Sequence, residues 1–243
     1  MLQIRRGAAR SERAMNLTPE QVSLIKRILN VFETGTPDDD YATISIYPDG
    51  PHGMRQLTYG RSQTTEFGNL GDLVQRYVDA GGTYAEGLRP YLDGIGNLPL
   101  VDDETFKQLL RDAGRNDPVM QQTQDRFFDD HYFDPAMAWA DAHGLTLPLS
   151  ALVIYDSFIH SGSILKFLRR RFPEVPPAKG GDERAWITAY ARTRHAWLSD
   201  HPNPPVRSSR YRTRDLFREI GAGNWDLAAL PFLANGTPVY PQV

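Results

Sequence analysis

The sequence predicts a mainly α-helical fold with one small β-hairpin, an α+β arrangement in which two lobes face each other across a cleft. Three observations lead there. The segment Leu17-Thr-Pro-Glu-Gln-Val22 opens a helix and is followed by an apolar stripe of helical period. A short alternating stretch ends at the turn signal Pro48-Asp-Gly-Pro51. Eight further segments carry helical periodicity or composition, several punctuated by Asp-Pro at their starts and Gly after their ends.

In the first helix Thr18 is the N-cap, Pro19 occupies the first turn, and Gln21 stands where a capping box needs it. Val22, Ile25, Ile28, Leu29 and Phe32 then share one face, and Gly35 ends the helix. Residues 41–47 read as a strand, with Ile44 and Ile46 alternating with polar neighbours, and residues 56–59 return as its partner before Gly60. Helices follow over 70–80, 103–113, 118–131, 135–143, 147–159, 164–172, 183–198 and 213–220. The run Leu147-Pro-Leu-Ser-Ala-Leu-Val-Ile-Tyr155 is the most apolar in the chain and is expected to be the central core helix. No repeat, low-complexity tract or interdomain linker interrupts the chain, so residues 16–243 read as one catalytic domain of two lobes.

The 243 residues are 40% hydrophobic and 23% charged, ordinary values for a globular protein. The absence of cysteine excludes disulfides, thiolate nucleophiles and cysteine-ligated zinc. No apolar run reaches the roughly 18 residues a membrane span needs. Residues 1–15 carry Arg5, Arg6, Arg10 and Arg13 without the apolar stretch of a signal peptide, and read as a disordered tail or a cloning remnant. Between residues 31 and 105, 13 Asp and Glu stand against 4 Arg, a local balance of −9 in a chain of net −3, which leaves +6 elsewhere. So acidic a stretch suits a polycationic partner and argues against nucleic acid, which requires clustered Lys and Arg; a solvated acidic surface is the plainer alternative.

Glu33 is an acid placed where a helix normally buries carbon, roughly 20° around the helix from Val22. A carboxylate there is partly desolvated and faces the negative end of the helix dipole, and both effects favour its protonated form, the condition for a general acid. The alternative is a Glu whose tip reaches solvent in the frayed last turn. A second carboxylate, Asp49, lies 16 residues further on at the tip of the expected hairpin, exposed. Such a pair is what glycoside hydrolysis requires, one group protonating the leaving oxygen while the other handles water or the anomeric carbon. Asp-Gly is equally a common turn dipeptide.

Phe32-Glu33 is followed by Tyr41, seven residues and Asp49; Gly60 precedes Asp72 by eleven intervening residues. Further on come Asp117-Pro-Val-Met-Gln-Gln-Thr-Gln124, His131-Tyr-Phe-Asp-Pro-Ala136, Tyr155-Asp156 leading to Gly162, Ser209-Arg210, and Gly223-Asn-Trp-Asp-Leu227. In this order of motifs the chain resembles the family 46 chitosanases over residues 17–231. The resemblance implies a two-lobed, lysozyme-like fold, Glu33 as general acid, Asp49 as the base that activates water with inversion, and Asp72 as a contact for a substrate amine. It also implies a buried network holding Glu33, made of Asp156 with Arg194 and Arg210, Arg192 being the alternative to Arg194. Chitosan and chito-oligosaccharides are the implied partners, and the size of such a substrate leads to an expectation of secretion. Monomer is the default state, and no metal or organic cofactor is called for, since a carboxylate pair needs neither.

The chain departs from the family in two places. Thr34 follows Glu33 where an amide or acidic residue is usual. The family's run Asp-Gly-Arg-Gly-x-Thr, whose Thr helps hold the water, is replaced by Asp49-Gly-Pro-His-Gly-Met-Arg-Gln-Leu-Thr-Tyr-Gly60, leaving Thr58, Ser62 and Thr64 as candidates for that task. Tyr47 and Trp225 are candidates to stack on sugar faces, while Trp139, Trp186 and Trp197 fall in expected helices and read as core. The six histidines show no metal-ligand spacing, and His160 reads as a core or supporting residue. Neither a phosphate-cradling glycine loop nor a Gly-x-Ser-x-Gly elbow occurs. The competing functions are a peptidoglycan hydrolase of the same fold and a non-catalytic binder of carbohydrate or polycation.

Overall fold

The computed structural model describes residues 15–61 and 63–242. Its elements, in chain order, are α1 (Pro19–Thr34), β1 (Ile44–Tyr47), β2 (Gln56–Tyr59), β3 (Thr64–Thr65), α2 (Leu70–Asp79), α3 (Ala85–Leu88), α4 (Glu104–Asn116), α5 (Pro118–Phe128), α6 (Asp134–Ala142), α7 (Pro148–Ser161), α8 (Lys166–Arg169), α9 (Glu183–Ser199), α10 (Pro204–Ser208), α11 (Arg210–Ala222), β4 (Phe232–Ala234) and β5 (Thr237–Val239). This is the mainly helical, small-hairpin fold expected. Residues 1–14, with most of the expected tail, and Ser62 lie outside the described residues.

The chain divides into two compact units. One is the segment Asp39–His131; the other combines the residues before and after it. In the Asp39–His131 unit, β1, β2 and β3 form one antiparallel sheet in that order, with Ile44 opposite Tyr59 and Tyr47 opposite Gln56. Leu57 and Tyr59 turn inward onto Leu73, Tyr77, Phe106, Leu110 and Met120. The buried tyrosine hydroxyls are satisfied, Tyr59 donating to the Leu110 carbonyl at 2.6 Å and Tyr77 to Asp117 Oδ2 at 2.6 Å. β1 begins three residues later than the alternation suggests, because Asp40 Oδ1 accepts the Ala42 and Thr43 amides at 3.0 Å and holds 41–43 as a turn.

The other unit is built around α7, buried on every residue from Pro148 to Phe158, as its unbroken apolarity requires. α1 packs against it with Leu24, Ile25, Ile28, Leu29, Val31 and Phe32 buried, and its ends are those the sequence marks. Thr18 and Gln21 form the capping box, and Gly35 closes the helix at φ 84°. α8 is much shorter than the expected 164–172, since Arg169 donates to the carbonyls of Phe172 and Glu174 and bends the chain ahead of Pro173. α11 starts three residues before the expected Thr213. The hairpin β4–β5 was not anticipated, although its Asn235-Gly236 loop, with φ of 46° and 85°, is the type I′ signature.

Candidate active site

Glu33 sits in the last turn of α1, and its side chain is 42% exposed. It reaches solvent, as the alternative reading has it, with the rest of the side chain covered. What the structure supplies is a fixed cation. Arg212, on α11, donates through Nη1 to Glu33 Oε1 at 2.5 Å and through Nε to Asp156 Oδ1 at 2.6 Å. Arg194, on α9, donates through Nη1 to the other Asp156 oxygen. Asp156 is fully buried on α7, and both arginines are almost so. Burial pushes the Asp156 carboxyl up, but the two guanidiniums outweigh it and hold it down at about 2. The same α11 holds the end of α1 directly, for Tyr211 donates its hydroxyl to the Phe32 carbonyl at 2.6 Å and Arg212 lies over the Phe32 ring at 5.2 Å.

Arg194 and Asp156 are thus where the sequence reading put them, and the alternative Arg192 is exposed. Arg210 requires correction. It is exposed at the start of α11, and Arg212 takes its place in the network. Two residues along a helix is a rotation of about 200°, so the two arginines point to opposite faces. The signal was present in the spacing, since Arg212 is one turn before the buried Leu216, and Asp215 and Glu219 continue that face. His160, half-buried at the end of α7, has its pKa lowered to about 4 by burial and by Arg194 and Arg212.

Apart from Trp225, the remaining site candidates belong to the Asp39–His131 unit. Asp49 is exposed in the loop between β1 and β2, and Tyr47, at the end of β1, is 52% exposed. Gln56 Nε2 donates to Asp49 Oδ1 at 3.0 Å, a contact the sequence did not suggest. Thr58 is buried and gives its hydroxyl to Gln63 Oε1 at 3.0 Å, while the Thr64 hydroxyl is buried without a hydrogen-bond partner among the described residues. Asp72 lies exposed in the first turn of α2, paired with Arg76 at 3.4 Å. Trp225 also departs from expectation, being buried beneath the Arg184 guanidinium, with no open face for a sugar. Among the described residues no group of three metal-ligating side chains occurs, and no helix is long and apolar enough to cross a membrane.

The mainly helical fold and the sequence pattern place the protein among the glycoside hydrolases. The sequence pattern of glycosyl hydrolase family 46 matches residues 27–231, and the chain belongs to that family. The chitosanase of Bacillus subtilis (strain 168) is 27% identical over 220 residues, covering 85% of this chain and 75% of that protein. The family 46 chitosanase of Gynuella sunshinyii, solved with chitotetraose, superposes with a TM-score of 0.76 at 26% identity, over 94% of this chain and 100% of that one. The native chitosanase of Bacillus subtilis MY002 shares the fold, with a TM-score of 0.70 at 22% identity over 88% of this chain and 94% of that one.

Proposed function

We propose that the protein is a secreted, endo-acting chitosanase that cleaves β-1,4 linkages between glucosamine units with inversion. The observation that carries the reading is Glu33 held by Arg212 on the buried Asp156–Arg194 pair, in a member of a glycosidase family whose similar proteins are chitosanases. Glu33 gives its proton to the glycosidic oxygen as the bond to the anomeric carbon breaks. Asp49 takes a proton from the water whose oxygen attacks that carbon from the opposite face, so the configuration inverts. Glu33 is left ionised and Asp49 protonated, and exchange with solvent resets both.

Charge supports the substrate class. The Asp39–His131 unit holds 16 Asp and Glu against 8 Lys and Arg, a balance of −8 in a chain of −3. Chitosan is a polycation, and a surface of this sign concentrates it while a neutral or anionic wall polymer gains nothing from it. Asp72 and the exposed ring of Tyr47 are the proposed contacts for an amine and a sugar face. Acting on a polymer too large to enter a cell is the reason to expect secretion.

The test is reducing-end release from soluble chitosan beside cell-wall peptidoglycan, with the wild type and Glu33→Gln. Release from chitosan alone, lost in the variant, is the expected result. Release from peptidoglycan alone would favour the wall-hydrolase reading, and release from neither would leave a binder. The anomeric form of the first product, followed by proton NMR, tests inversion.

A further inference from the structure

We propose that Gln56 is the positioning residue for Asp49, an inference that rests on reading Asp49 as the base. Asp49 lies two residues beyond the last ladder pair of the hairpin, Tyr47 opposite Gln56, so no strand hydrogen bond fixes it. Its carboxylate is exposed on the loop 48–55 that joins β1 to β2. A carboxylate on such a loop has several conformers open to it, and something must select one.

Gln56 has the geometry to do so. It is buried, its Oε1 accepts the Phe67 amide at 3.3 Å, and its Nε2 donates to Asp49 Oδ1 at 3.0 Å. A backbone N–H can only donate, so the Phe67 contact fixes which way the amide faces and commits its NH2 to the carboxylate. The strand beneath is equally constrained. Glu66, wholly buried, accepts the Leu57 amide at 3.1 Å and also the Leu100 amide, and returns its own N–H to the Leu57 carbonyl at 2.8 Å. Gln56 is therefore tied to Phe67 through its side chain, and Leu57 to Glu66 through its backbone.

The loop bearing Asp49 is seated on the same residues. Gly50 donates to the Met54 carbonyl at 3.0 Å, and a Cβ on Gly50 would lie 2.9 Å from that oxygen and 3.3 Å from the Phe67 ring. The loop thus packs closely on Phe67, and Gln56 links that packing to the reacting group. With Oδ1 occupied by the Gln56 donor, the carboxylate plane is set and Oδ2 is presented for the proton of the attacking water. Placing a base within a fraction of an ångström matters, since a misplacement of about 1 Å costs on the order of 10²-fold in rate.

Two variants test this, with Asp49→Asn beside them. Gln56→Met keeps the length of the side chain and removes both hydrogen bonds. Gln56→Glu keeps the acceptor for Phe67 and replaces the donor with a carboxylate that repels Asp49, so it stays informative if the first variant does not fold. For both, kcat on chitosan is expected to fall by about 10-fold or more with KM within about two-fold of wild type, because an exposed base is misdirected while substrate contacts remain. Either variant, folded, retaining the wild-type kcat while Asp49→Asn is inactive overturns the positioning role and leaves the base intact. Full activity in Asp49→Asn overturns the base and this inference together, and a rise in KM at unchanged kcat assigns Gln56 to binding instead.

Discussion

Arg212 reaches Glu33 from inside the protein: the arginine side chain is 3% exposed and that of the glutamate it grips is 42% exposed. The arginine is thus the buried partner and the glutamate the one that faces solvent. A partly exposed carboxylate has several rotamers open to it, and a buried fork anchored on Asp156 selects among them. That fork needs two separate nitrogens, Nε for Asp156 and Nη1 for Glu33.

Arg212→Lys keeps the charge but offers one nitrogen where two are used, so it can serve Asp156 or Glu33 and not both in the same geometry. The expected result is a fall in kcat of about 10²-fold with little change in KM. Arg212→Met also takes a cation away from a buried aspartate and is expected to destabilise the fold by about 3–5 kcal/mol. Steady-state kinetics and urea denaturation of the two variants separate the positioning effect from the structural one.

Asp156 makes the network acid-sensitive. Burial raises its pKa, Arg194 and Arg212 lower it further than burial raises it, and the result is about 2. The unfolded group titrates near ~3.9, so the native state binds fewer protons between these values. Its contribution is complete above about pH 4 and is lost as pH falls toward 2. Denaturation midpoints measured across that window are expected to fall steeply in the wild type and less so in Asp156→Asn, whose stability at neutral pH is already reduced.

Helix α1 was legible to the residue because its signals are local: a capping box, a proline in the first turn and a left-handed glycine after the last. The core role of α7 was legible too, since apolarity on every face leaves a helix nowhere to go but inside. What failed was environment. The spacing placed Glu33 at the edge of the apolar stripe, but how far it is covered depends on distant residues such as Tyr211 and Arg212, which no helical pattern reveals. Arg210 stood in for Arg212, which the sequence reading did not name, for a related reason: the resemblance supplied the neighbourhood and only the phase of α11 supplies the face. Gln56 was invisible because its partners, Asp49 and Phe67, meet it through the hairpin's register.

His160 has the opposite acid behaviour in charge but the same sign in stability. Burial first, then Arg194 and Arg212, lower its pKa to about 4, with Asp156 pulling the other way. An unfolded histidine titrates near ~6.5, so the unfolded chain binds the extra proton between these values. The native state is favoured fully above about pH 6.5 and loses stability as pH falls to about 4, by at most about 1.4 kcal/mol per pH unit. His160→Gln is expected to flatten that slope, with the remainder carried in part by His195, whose pKa burial and Arg210 also lower. Thermal midpoints at closely spaced pH values measure the difference.

Gly60 ends β2 under two constraints that a double-mutant cycle can separate. Its φ of 71° is the left-handed region that a side chain rarely adopts, and a Cβ there would lie 2.1 Å from Gln124 Oε1. Gln124 cannot simply withdraw, being buried and committed at both ends: its Oε1 accepts the Arg61 amide at 3.1 Å and its Nε2 donates to the Tyr41 carbonyl at 2.8 Å. Gly60→Ala is therefore expected to cost about 2–4 kcal/mol, the backbone strain plus the collision. Gln124→Ala alone loses two buried hydrogen bonds and leaves the Arg61 amide without its acceptor, an expected loss of about 2–3 kcal/mol. In the double variant the collision is gone but the φ strain persists, so the combined loss is expected to fall short of the sum by about 1 kcal/mol or more. Urea denaturation of the four proteins gives that coupling, and strict additivity would mean that the backbone angle alone demands glycine at this position.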